Sequence, residues 1–106
     1  MLVFEETNIN FIKLKKSIKL FVTISLKTGL KTVDVNIDKA VNIVEMLDLV
    51  SDIIDYDLTN ELIENNSILP GVFIQLDGED IHHLHQLDTQ ITKNATVSIF
   101  SSKVDE

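Results

Sequence analysis

The chain has 106 residues, of which nine are lysine, none is arginine and seventeen are acidic, so its formal charge is −8; 44% of the residues are apolar and none is cysteine. Those figures describe one soluble domain able to bury roughly 60% of its unfolded surface, and they exclude disulfides, zinc–thiolate sites and a cysteine nucleophile. The acidic excess argues against phosphate-backbone binding, and with no apolar run of about 20 residues and no signal-like start the chain reads as intracellular and cytoplasmic.

The lysines are unevenly placed. Residues 1–33 carry six of them against two acids, whereas residues 34–106 carry three against fifteen. The basic first third reads as a solvated strand face.

Residues 1–16 mix apolar residues with Asn and Lys in no clear period and are set apart as an N-terminal extension. From Ser17 the pattern sharpens: Ile18, Leu20, Val22, Ile24 and Leu26 alternate with Lys19, Phe21, Thr23, Ser25 and Lys27. A period of two predicts a strand with one buried face. After a turn at Thr28 and Gly29, the alternation of Val33, Val35 and Ile37 with Asp34, Asn36 and Asp38 predicts the second arm of an antiparallel hairpin.

Asp38 offers a helix N-cap, and Val41, Ile43, Val44, Met46, Leu47, Val50, Ile53 and Ile54 recur at spacings of three and four. That spacing predicts a helix buried over much of its circumference. Residues 55–67 are polar around Leu58, Leu62 and Ile63 and read as a short second helix or an ordered loop. Pro70 and Gly71 precede a strand at Val72, Ile74 and Leu76 that stops at the Asp77-Gly78 turn. Ile81, Leu84, Leu87 and Ile91 anchor the next stretch, and Val97, Ile99 and Phe100 make a last strand after a Lys93-Asn94 turn. Residues 17–100 thus form the domain, and residues 101–106 a free tail.

The order β-β-α-β-β predicts an α+β fold with one main helix across a mixed sheet, the first and last strands being parallel central neighbours. The run Ile68-Leu69-Pro70-Gly71-Val72-Phe73-Ile74-Gln75-Leu76-Asp77-Gly78, followed by Leu87-Asp88-Thr89 and Val97-Ser98-Ile99-Phe100, resembles the ubiquitin-like sulfur carriers of the MoaD and ThiS group. The likeness is to archaeal-type MoaD proteins and ubiquitin-related modifiers, and residues 19–38 resemble the opening hairpin of ubiquitin. The resemblance implies a ubiquitin-like β-grasp fold. It also implies a C-terminal Gly-Gly that an E1-like enzyme adenylates, for conversion to a sulfur-donating thiocarboxylate or transfer to a lysine.

At that point the chain departs from the family. Phe100 is followed by Ser101, Ser102, Lys103, Val104, Asp105 and Glu106, with the last two at the diglycine positions. Each like-charge contact at about 4 Å costs roughly 1 kcal/mol in water and more when desolvated, so this tail is expected to be a poor adenylation substrate. The expected function is protein–protein docking onto an E1-like activating enzyme or a molybdopterin-synthase-like large subunit, without cofactor, nucleic acid or membrane. Phe21, Phe73, Phe100 and the tail Ser101, Ser102, Lys103, Val104, Asp105 and Glu106 are the expected contact residues. Two alternatives stay open: a diverged β-grasp binding module unrelated to sulfur transfer, and a genuine carrier or modifier whose activating enzyme tolerates the atypical end.

His82, His83 and His85 fall within four residues, but no cysteine joins them and a closed metal site needs further ligands such as Asp80 or Asp88. The resemblance to the MoaD and ThiS group implies that this stretch is a surface turn. No Gly-rich phosphate loop, nucleophile elbow or base-and-nucleophile spacing is present, so the chain is not expected to be an enzyme. Phe21, outward among lysines, is a candidate anchor, with Phe4 and Phe11 of the extension as candidate covers.

Overall fold

The computed structural model describes residues 17–26 and 29–101. The expected hairpin is formed by β1 (Ile18–Leu26) and β2 (Gly29–Ile37), antiparallel and unbroken from Ile18↔Ile37 to Leu26↔Gly29. Its alternation has the predicted result. Leu20, Val22 and Ile24 on β1, with Val33, Val35 and Ile37 on β2, are buried on one face.

The helix start differs from the sequence reading. Val41 belongs to β3 (Val41–Asn42), and α1 (Ile43–Ile54) begins two residues later than its apolar pattern. Asn42, not Asp38, is the N-cap. Its side-chain oxygen accepts from the Glu45 N–H at 2.8 Å, and the Glu45 carboxylate accepts from the Asn42 N–H at 2.9 Å. This reciprocal pair satisfies two N–H groups that the first turn leaves without helical partners. Asp38 does not cap because it lies in a bend with Lys39, while Val41 and Asn42, paired with Ile91 and Gln90, are held extended until the helix starts at Ile43.

Residues 55–67 hold both a helix and a turn. Asp55 ends α1 in the left-handed region, φ 59°. Then α2 (Leu58–Leu62) buries Leu58 and Leu62 and runs into a ribbon of β4 (Ile63–Glu64) and β5 (Ser67–Ile68). The ribbon turns on Asn65 and Asn66, at φ 55° and 61°, a conformation asparagine tolerates better than most residues.

The next hairpin joins β6 (Val72–Leu76) to β7 (Glu79–Asp80) across Asp77 and Gly78, both at positive φ. Two 3-10 turns follow, at Ile81–His83 and Gln86–Asp88, before β8 (Gln90–Ile91) pairs with β3. Of the four anchors expected here, Ile81 and Ile91 are fully buried, Leu87 packs half-buried against the core, and Leu84 is exposed. Leu84 follows the first 3-10 turn with backbone angles that are not helical, which points its side chain away from the core.

The final strand, β9 (Ala95–Ser101), reaches one residue further than expected: Ser101 is paired with Val72 and is sheet, not tail. Residues 102–106, with the expected contacts Ser102, Lys103, Val104, Asp105 and Glu106, lie outside the described residues. The main sheet has the order β2-β1-β9-β6-β7. Within it β1 and β9 are parallel neighbours, and every other pairing is antiparallel. This is the expected α+β arrangement of a mixed sheet and one main helix.

The core lies between the sheet's inner face and the buried side of α1, where Ile43, Met46, Leu47 and Val50 meet Val22, Ile74 and Ile99. Each such side chain contributes about 1.5–3 kcal/mol through burial. Among the described residues, no helix is long and apolar enough to cross a membrane.

Candidate functional site

With α1 covering one face of the sheet, the other face is covered by no element among the described residues. Alternation assigns it Lys19, Phe21, Thr23 and Ser25 from β1, Thr96, Ser98 and Phe100 from β9, and Phe73 and Gln75 from β6. The register arranges these residues in rows across the strands. Thr32, Thr23, Ser98 and Gln75 form a polar middle row. Leu30, Ser25, Phe100 and Phe73 form an apolar row beside it.

Phe73 and Phe100 face each other directly in the antiparallel ladder, their rings stacked with centroids 5.4 Å apart and planes inclined by 24°. Phe73 sits between the buried Val72 and Ile74, and Phe100 follows the buried Ile99, so the pleat turns both rings to the side opposite α1. Stacking adds about 0.5–1.5 kcal/mol beyond area burial and holds the two rings as one rigid platform. Leu30, 69% exposed, stands in the same row two strands away.

Phe21 is also on this face, 47% exposed, but the structure does not bring it to the other two rings. It pairs with Thr96 while Phe100 pairs with Ser25, four residues further along β1, a distance of about 13 Å at strand rise. Phe21 instead lines a shallow groove of about 600 Å³ with Lys19, Asp34, Asp77 and Asn94. Phe4 and Phe11, the candidate covers for Phe21, lie outside the described residues. Leu30 is the exposed apolar residue of this face that the sequence reading missed; its cue was an outward apolar position beside Gly29.

The histidines are held apart. Asp80 Oδ1 accepts from the His82 N–H at 2.8 Å and lies 2.9 Å from His82 Nδ1, while His83 Nδ1 is 3.6 Å from Glu79. The backbone N–H of His85 donates to the Thr89 hydroxyl at 3.0 Å, closing the second turn. The Asp80 carboxyl is held below the usual aspartate range, chiefly by the hydrogen bond from the His82 N–H and further by the two imidazoles, against a partial desolvation that raises it. Among the described residues, no group of three or more His, Asp or Glu side chains is placed to share a metal ion.

No family model matches the sequence, and no curated protein does. Among solved structures the chain is similar to the solution structure of the Haloferax volcanii HVO 2177 protein. The TM-score is 0.64 at 21% identity, over 80% of this chain and 83% of that one. At that identity the likeness is one of fold.

Proposed function

We propose that the chain is a ubiquitin-like β-grasp protein of the MoaD and ThiS type that acts by docking the sheet face opposite α1 onto a larger partner, an E1-like activating enzyme or a molybdopterin-synthase-like large subunit. The observation that carries this reading is the Phe73–Phe100 platform, partly exposed on the sheet face opposite α1, one residue before the paired part of β9 ends at Ser101. The topology supports it too, with parallel central β1 and β9 and a single main helix on the opposite face. A partner seated on the platform would bury two aromatic rings, the residue type that dominates binding hot spots, and would lie beside Ser101, the last described residue.

Docking tests the reading first. A pull-down and calorimetric titration with candidate E1-like and molybdopterin-synthase-like proteins should yield a complex that Phe100→Ala weakens by more than tenfold. Incubation with ATP and the activating enzyme, followed by mass spectrometry, separates docking from chemistry. An unchanged mass with a retained complex means docking alone, whereas exchange of one carboxylate oxygen for sulfur means a working carrier. A complex mapping away from the sheet face leaves the alternative of a binding module unrelated to sulfur transfer.

A further inference from the structure

A second surface, on the other side of the molecule's first hairpin, has features of its own. β2 is an edge strand: one side is paired with β1 along all nine residues, and the other pairs with no strand among the described residues. Protein edges are normally blunted by shortness, bulges, proline or an inward-pointing charge. This one is long, has no bulge in its register and contains no proline. Lys31 supplies an inward-facing charge, since it shares the parity of Val33 and Val35, but it stands at the far end. Residues 33–37 have no such guard.

Beside that unguarded half, β2 and α1 enclose a groove of about 570 Å³ floored by Ile37, Val41 and Leu49. Its rim is acidic. Asp38, Glu45, Asp48 and Asp52 line it against a single lysine, Lys39, among the described residues. Glu45, Asp48 and Asp52 recur at spacings of three and four, so they form one exposed stripe along α1 facing the strand edge. Two of these carboxylates are committed: Glu45 to the Asn42 cap and Asp48 to the Thr59 hydroxyl. Asp38 and Asp52 make no hydrogen bond or ion pair within the described residues.

We propose that the edge of β2 along residues 33–37, with the groove it shares with α1, captures an extended lysine-rich segment of a partner protein as an added strand. The main chain of the segment continues the sheet. Its apolar side chains alternate into the groove over Ile37, Val41 and Leu49, and its lysines reach Asp38 and Asp52. Charge selects the occupant, because an acidic segment would meet the carboxylate stripe at close range. The surface is separate from the Phe73–Phe100 platform, so this inference stands or falls apart from the docking reading.

The test is a titration of the full, isotope-labelled chain with a short synthetic peptide alternating lysine and valine, read by amide chemical shifts. Expected are shifts concentrated at residues 33–37 and along α1, weakening with salt, and none with the glutamate-for-lysine peptide. The exposed double variant Asp38→Lys with Asp52→Lys should keep its circular dichroism and bind about tenfold more weakly. Any of three results would overturn the proposal: shifts at Phe73 and Phe100 instead of β2, equal binding of the two peptides, or contacts showing the edge already filled by residues 1–16 or by a second copy.

Discussion

Asp77 and Thr96 hold each other at two points. The Asp77 N–H donates to the Thr96 carbonyl at 2.8 Å, and the Thr96 N–H donates to the Asp77 side-chain oxygen at 2.8 Å. The pair extends the β6–β9 ladder beyond Leu76↔Val97 into the Asp77-Gly78 turn, where Asp77 itself has φ 53°. An ordinary turn residue thus becomes a clamp on the central strand.

Asp77→Ala should therefore cost about 1–2 kcal/mol, from one lost hydrogen bond and a side chain poorly suited to positive φ. Asp77→Asn, which keeps both the acceptor and the tolerance, should lose much less. Urea denaturation of both variants measures the difference.

The capping box makes a comparably sharp prediction. Asn42→Ala should destabilise the protein by about 1 kcal/mol, whereas Asp38→Ala should change stability by under about 0.5 kcal/mol, because Asp38 caps nothing. Equal losses from the two variants would contradict the cap assignment.

Ser51 links the two helices. Its hydroxyl donates to the Leu47 carbonyl at 2.8 Å and accepts from the Leu58 N–H at 2.9 Å. Ser51→Ala should cost about 1 kcal/mol, and amide exchange should quicken in α2 before it does in β1 or β9.

Acid should loosen the histidine turn. The folded Asp80 carboxyl titrates below its ordinary value, so its stabilising contribution is complete above the ordinary aspartate range and disappears as pH falls through the lowered folded value. A carboxyl titration followed by nuclear magnetic resonance should show the depressed midpoint. Asp80→Asn should remove the acid-dependent part of stability assigned to this turn.

On the proposed docking function, Phe100→Ala should reduce affinity for the partner by more than tenfold, with Phe73→Ala close behind, since each ring supports the other. Phe21→Ala should weaken binding less, because Phe21 lies at the other end of the face. Isothermal titration of the three variants orders the effects.

Much of this fold could be read from residues alone because its elements announce themselves locally. The period-two run from Ile18 to Leu26, the three-and-four spacing from Ile43 to Ile54 and the Asp77-Gly78 turn each depend on neighbours a few residues apart. The parts that escaped depend on distant partners. Asn42 became the cap because Val41 pairs with Ile91, roughly half a chain away, and Ser101 joined the sheet because Val72 lies opposite it. Local spacing contains no information about such pairings.

The candidate site divides in the same way. That Phe21 faces outward followed from alternation, a property of its strand by itself, and the same pleat turns Phe73 and Phe100 to that side. That Phe73 stacks on Phe100 while Phe21 stands apart was decided by register between strands, which sequence periodicity leaves free. Alternation determines the face of a side chain, because the pleat has a period of two; only the assembled sheet determines its neighbours, because those are set by hydrogen bonding between segments far apart in the chain.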